Sequence, residues 1–183
     1  KYRLRHRLFE GGMSRPIERE VFERGHAVGA LPYDPMLDEV VLIEQFRIGP
    51  YACGEEPWQI EIVAGIIDSG EIAEDVVRRE LLEEAGLRSA HALIPIGKHY
   101  TSPGASTETL QTYSAIVDAA AAGGVHGLVE EGEDIRVSRA SFASVLQWLN
   151  EARITSGPAI IALQWLALHR QDLRAKFTNP ESC

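Results

Sequence analysis

The chain has few of the residues that mark a disulfide-stapled, zinc-bound or membrane-spanning protein. Only two cysteines occur in 183 residues, Cys53 and Cys183, far apart. That spacing offers neither a disulfide framework nor a zinc site, and it suits a reducing cytoplasm. The six histidines, His6, His26, His91, His99, His126 and His169, show no ligand spacing. No run of 18 apolar residues is present, so no membrane span is predicted. The opening KYRLRHRLFEGG has no apolar signal core. Positive charge is also scarce: 18 Lys and Arg stand against 27 Asp and Glu, a net charge of −9. Nucleic acid is therefore not expected as a partner, because binding it needs clustered cations to displace counterions. The one basic cluster, Lys1, Arg3, Arg5, His6 and Arg7, reads as a solvated strand edge.

What is present is an ordinary globular composition, 45% hydrophobic, in a chain long enough for one domain with a real core. Strands are predicted near 18–23 and 26–32, then at 39–47, where EVVLIEQFR is apolar and β-branched. WQIEIVAG, residues 58–65, alternates and reads as one further strand. A helix is expected over 72–85, with Gly86 placed to end it. Strands follow near 92–100, 109–117 and 134–138, and helices near 141–151 and 157–172. This order predicts an α/β (α+β) sandwich. Residues 1–25 are expected to form a separate small sheet beside a main domain over 26–183. Such a sheet needs a partner to bury its face, so a homodimer is expected.

The helix contains an electrostatic problem. RRELLEEAGL, residues 78–87, places Glu80, Glu83 and Glu84 within one turn of each other, where like charges repel. At 100° per residue, Ala73, Val76, Val77 and Leu81 mark the apolar arc. Glu80 and Glu84 fall inside that arc, Glu83 lies at its edge, and Arg78 points away. Half-buried carboxylates without partners are costly. Three arrangements relieve the cost: protonation, a buried arginine or a bound cation. Oxygen-only ligands of this kind suit Mg²⁺ or Mn²⁺, and magnesium commonly bridges carboxylates to substrate phosphates. A second acidic group, Glu130, Glu131, Glu133 and Asp134, lies in an expected loop. By itself it reads as solvated; beside metals, one of its carboxylates could serve as a base.

The helix belongs to a longer pattern. Gly65, Glu71, Arg79-Glu80, Leu81, Glu83-Glu84 and Gly86-Leu87 stand in the order Gly, five residues, Glu, seven residues, Arg-Glu, aliphatic, any, Glu-Glu, any, Gly, aliphatic. This resembles the Nudix box, the motif of hydrolases that cleave a nucleoside diphosphate linked to another group. SPGASTE (102–108) follows the box, and FERGHAV, LPYDP, VVLIEQFRIGPY, HGLVEEGEDIRV and ALQWL extend the likeness over nearly the whole chain. In these segments the chain is similar to the bacterial ADP-ribose pyrophosphatases of the Nudix superfamily.

The resemblance implies a Nudix-type α/β/α sandwich with a mixed sheet, and a small N-terminal β-sheet involved in dimerisation, with or without strand swapping. It also implies Mg²⁺, or Mn²⁺, with two to three ions per site. Glu80, Glu84 and the Ala64 carbonyl would hold them, Glu83 would assist, and Glu133 would join metal binding during turnover. Glu131 resembles the catalytic base. Gly65, Glu71 and Arg79 would be structural supports. Ser102, Pro103, Gly104 and Glu108 would line a terminal ribose site, Arg47 would hold a phosphate or adenine edge, and the Ile66 backbone would touch substrate. Arg19 and Glu20 would reach the adenosine end from the other subunit. By the same likeness, a few tens of family residues are expected before Lys1. The loop departs from relatives that carry two glycines by having Ala105, which is tolerated unless φ > 0 is required there. The implied activity is hydrolysis of a small nucleotide-sugar substrate, ADP-ribose, in the cytoplasm. Other nucleoside diphosphate sugars, or a non-catalytic nucleotide-binding regulator, are the alternatives; all four box glutamates are present, which disfavours the regulator.

Overall fold

The computed structural model describes residues 1–88 and 90–178; Cys183 lies outside the described residues. Its centre is β3, His26–Asp34, and β4, Glu39–Phe46. Both run as almost continuous apolar segments because both faces are covered. Val28, Ala30, Val41 and Ile43 pack on one side, and Leu31, Tyr33, Val40 and Leu42 on the other. The first face receives the helix α2, Ala73–Ala85, through Val76, Val77, Leu81 and Ala85. The second receives α3, Phe142–Asn150, and α4, Gly157–Thr178, through Phe142, Val145, Ala162, Leu163 and Leu166. The result is the expected α/β/α sandwich with a mixed sheet.

The eight-stranded sheet also contains β5, Trp58–Glu61, β6, Val63–Ile67, β7, Ala92–Tyr100, β8, Thr109–Ile116, β9, Gly124–His126, and β10, Ile135–Ser141. Its main path runs β7-β8-β3-β4-β10-β9, with β8 parallel to β3 and the other neighbours antiparallel. β3 and β4 pair only at Tyr33↔Val40 and Asp34↔Glu39 and then diverge. β5 pairs with β4, and β6 pairs with β3, along the separated parts. The single strand expected over 58–65 is thus two, broken at Ile62, where the chain changes partner. Ile62 is 1% exposed and packs toward α3 and α4. The divergence leaves the segment Ala64–Ile66 facing a cleft instead of a closed core.

Other expectations need correction. The strand foreseen at 18–23 is only β2, Ile17–Arg19, paired with β1, Tyr2–Leu4, in an exposed two-stranded sheet. Beyond it, the backbone of Phe22 bonds to Ala105 and Thr107 instead of continuing the strand. The short helix α1, Ile48–Ala52, and β9 were not foreseen; both lie in glycine-containing segments with little apolar pattern. α4 runs past residue 172 because Leu173 is buried and Arg170 and Arg174 bind Asp38. β10 extends to Ser141, held by β4 through Ser141↔Glu39. Ala105 does not have positive φ, so the missing second glycine is tolerated.

Candidate active site

The box helix ends where the sequence expected. Gly86 adopts φ 66°, and its N–H and that of Leu87 bond to the carbonyls of Leu82 and Leu81. A side chain at Gly86 would strike the His126 ring at 2.5 Å. That close packing, with the Gly127 N–H donating to the Glu83 carbonyl at 3.2 Å, docks the loop after β9 onto the helix end.

The helix carries its carboxylates inward. Glu80 is 9% exposed and Glu84 only 3%. Glu80 lies directly over Gly65 of β6: a Cβ there would come within 2.0 Å of its Oε1, so only glycine admits this carboxylate. Arg79 Nη1 donates to Glu80 Oε1 at 2.7 Å and to Glu83 Oε2 at 3.3 Å, and Nη2 lies 3.6 Å from Glu71 Oε2. Glu71 in turn accepts from the Asp68 N–H at 2.9 Å, which ties the loop before the helix to the helix itself. One guanidinium is therefore divided among three carboxylates. Among the described residues no arginine forms an ion pair with Glu84, although Arg47 across the cleft acts on it weakly; its Oε2 accepts the Ala64 N–H at 2.9 Å.

This shortage of positive charge shows in the ionisation of both groups. Burial pushes Glu80 up to about 7, with Arg79 opposing and Glu83 and Glu133 adding to the rise. Burial pushes Glu84 up to about 8; the Ala64 N–H and, more weakly, Arg47 oppose this, and Glu80 and Glu133 reinforce it. Glu133 therefore faces the pair, while its own Oε2 accepts the Leu128 N–H at 3.0 Å. Among the described residues, no three acidic, histidine or cysteine side chains are gathered into a ready metal cage. The donor set nevertheless fits a hard divalent cation, because two nearly buried carboxylates share too little positive charge.

These groups open onto a cleft of about 710 Å³. Its walls include Ala64, Gly65, Ile66, Arg79, Glu80, Glu83, Glu84 and Glu133, and further along Arg47, Glu61, Thr101 and Glu108. Arg47 Nε donates to Glu61 Oε2 at 2.7 Å. Glu108 is held by Arg24 at 3.2 Å and by the Thr101 hydroxyl at 2.7 Å. Ser102, Pro103 and Gly104 form an exposed turn next to this wall and do not line it. Arg19 and Glu20 are exposed on the small sheet and the segment after it, away from the cleft. Glu131 ends a 3₁₀ turn, Val129–Glu131, that precedes β10 in the chain; its side chain lies outside the described ones.

Sequence reasoning missed Arg24, Glu61 and Thr101. Glu61 had a readable signal, as the one acidic residue in the otherwise uncharged WQIEIVAG. Arg24 and Thr101 had none, since their roles come from contacts across long sequence separations.

The NUDIX domain family matches residues 23–160. The ADP-ribose pyrophosphatase of Escherichia coli K12 is 51% identical over 173 residues, covering 94% of this chain and 82% of that protein. The GDP-mannose pyrophosphatase of Cronobacter sakazakii is 34% identical over 152 residues, covering 82% and 78%. The crystal structure of an ADP compounds hydrolase superposes with a TM-score of 0.71 over 93% of this chain and 85% of that one, at 21% identity, which supports the fold. With its box glutamates gathered at the cleft and the family match spanning most of its length, the chain belongs to the Nudix family.

Proposed function

We propose that the chain hydrolyses the pyrophosphate bond of ADP-ribose to AMP and ribose 5-phosphate. The observation that carries this reading is the pair of buried carboxylates, Glu80 and Glu84, facing a cleft without matching positive charge. Nudix ADP-ribose pyrophosphatases use divalent metal ions; the ion proposed here is Mg²⁺, replaceable by Mn²⁺, at two to three per site. Glu80, Glu84 and the Ala64 carbonyl would hold them, assisted by Glu83, and Glu133 would leave the Leu128 N–H to join them during turnover. Bound there, such ions neutralise the diphosphate and acidify water.

The chain's own groups do the rest. Arg79, braced by Glu71 beside Gly65, keeps the Glu80 carboxylate aimed at the cleft. Arg47, oriented by Glu61, donates to a phosphate oxygen or the adenine edge. Water attacks one phosphorus, Glu131 takes its proton, and the bridging P–O bond breaks with the other phosphate as leaving group. Glu108 receives the terminal ribose at the cleft wall, the exposed turn Ser102, Pro103 and Gly104 closing on it from beside that wall, and the Ile66 backbone lies along the substrate. Arg19 and Glu20 serve the adenosine end of a neighbouring subunit. Exposed Tyr2, Leu4, Phe9 and Met13 on the N-terminal segment support a homodimer that buries them. Among the described residues no helix is long and apolar enough to cross a membrane; the sparse cysteine supports the cytoplasm as the site of action.

The likeness to a GDP-mannose pyrophosphatase favours one alternative, another nucleoside diphosphate sugar as substrate. A panel of ADP-ribose, ADP-glucose, GDP-mannose, UDP-glucose and NADH, assayed with Mg²⁺ and product identification, separates the two. ADP-ribose is expected to give the highest kcat/KM. A higher value for a GDP- or UDP-sugar would replace the reading.

A further inference from the structure

The loop assigned to the sugar end is built onto the segment leading out of the N-terminal sheet. The Phe22 N–H donates to the Ala105 carbonyl at 2.7 Å, and the Thr107 N–H donates to the Phe22 carbonyl at 3.2 Å. Two side-chain contacts fix the register. The Thr107 hydroxyl donates to Glu23 Oε1 at 2.6 Å, and Arg24 Nε lies 3.2 Å from Glu108 Oε1. The second oxygen of Glu108 accepts the Thr101 hydroxyl at 2.7 Å. The Glu108 side chain is 13% exposed, so its carboxylate is gripped from two sides at the cleft wall.

A carboxylate has about four lone-pair directions. The Thr101 hydroxyl occupies one on Oε2, the Arg24 charge stands 3.2 Å from Oε1, and the others are left for a ligand. Fixing those directions matters for sugars, because ribofuranose and hexopyranose rings project their hydroxyls differently. A fixed acceptor discriminates between them; a mobile one adapts to both and spends rotamer entropy on each. The other arginines lining the cleft already face carboxylates elsewhere: Arg47 faces Glu61, and Arg79 faces Glu71, Glu80 and Glu83.

We infer that Arg24 is a specificity-determining positioning residue, which through its ion pair with Glu108 fixes the carboxylate that reads the terminal sugar. This rests on the reading of residues 101–108 as the sugar-end wall. The test measures initial rates of the full chain with Mg²⁺ on ADP-ribose and ADP-glucose for wild type, Arg24→Gln, Arg24→Lys and Thr101→Val. Arg24→Gln is expected to raise KM for ADP-ribose about fivefold with kcat within about twofold, the size of effect for one ion pair between a half-exposed arginine and a nearly buried carboxylate. The preference for ADP-ribose over ADP-glucose in kcat/KM should fall by a similar factor. Arg24→Lys should recover part of it, and Thr101→Val should move it the same way by less. A wild-type KM and preference in Arg24→Gln, or a loss confined to kcat or to melting temperature, would overturn the inference. If Arg24→Gln does not fold, an unchanged preference in Thr101→Val overturns it. A wild-type chain inactive on ADP-ribose would instead overturn the functional reading, and this inference with it.

Discussion

The molecule handles acid drawn out of water in two opposite ways, at half-buried Asp38 and at nearly buried Glu80 and Glu84. Behind the sheet, Asp38 accepts the Tyr33 hydroxyl at 2.9 Å and Arg170 Nε at 2.6 Å, and Arg174 lies 3.3 Å away. Burial alone would raise Asp38, but Arg170 and Tyr33 outweigh it and hold the carboxyl below its usual value. Burial pushes Tyr33 up to about 12, with the Asp38 hydrogen bond adding to the rise. At the cleft the proportions reverse: Arg79 is divided among Glu71, Glu80 and Glu83, and Glu84 has, among the described residues, a backbone N–H and no ion pair, with Arg47 acting on it only weakly. An acid surrounded by its own cations is finished and holds α4 to the sheet. An acid left short of cations is what the proposed metal site calls for.

Four changes would break or sharpen this contrast. The largest effect is expected at the cleft: Glu84→Gln or Glu80→Gln should lower kcat by about three orders of magnitude or more, with the fold retained. Circular dichroism and steady-state rates check it; near-normal Mg²⁺-dependent turnover would remove these glutamates from the chemistry. Next is Gly65→Ala, whose methyl group collides with Glu80. It should cost about two orders of magnitude in kcat, and a crystal structure should show Glu80 displaced.

The third change is pH without metal. Glu80 and Glu84 have folded-state values raised to about 7 and about 8 over an ordinary 4.5. The unfolded chain therefore ionises first, and the folded state gives up stability as pH rises through 7 and 8. In chelator, the melting temperature should fall by several degrees between pH 6 and 8, on the order of 2 kcal/mol. Mg²⁺ should restore more at pH 8 than at pH 6; melting curves that stay flat with pH contradict the raised values. The smallest effect is Asp38→Asn. Asp38 has φ 60°, which asparagine also adopts, so the change isolates charge. It should cost about 1 kcal/mol in chemical denaturation with kcat unchanged. Because Asp38 is lowered, that contribution is present above about pH 4 and is lost as pH falls through the folded value.

The half of this contrast proposed to carry the chemistry was legible in the sequence. Helical periodicity alone put Glu80 and Glu84 on the apolar arc with Val76, Val77 and Leu81, and the structure buries both. The glycine of the box became intelligible only in three dimensions, since its reason is the carboxylate lying on it. The back cluster was invisible, because Tyr33, Asp38, Arg170 and Arg174 meet only when α4 packs across the sheet. The same holds for Arg24 with Glu108 and Arg47 with Glu61, whose partners are chosen by topology. The change of strand partner at Ile62 was hidden as well: an alternating pattern specifies which face is buried but not which neighbour is paired.

The most direct test of an unmet charge at Glu84 is titration of metal-free protein with Mn²⁺ at pH 7 by calorimetry in two buffers of different ionisation enthalpy. The wild type should bind Mn²⁺ and release protons as Glu80 and Glu84 ionise. Asp38→Asn should behave identically, and Glu84→Gln should lose most of both the affinity and the proton release. Mn²⁺ binding by Glu84→Gln that matches the wild type would contradict the account.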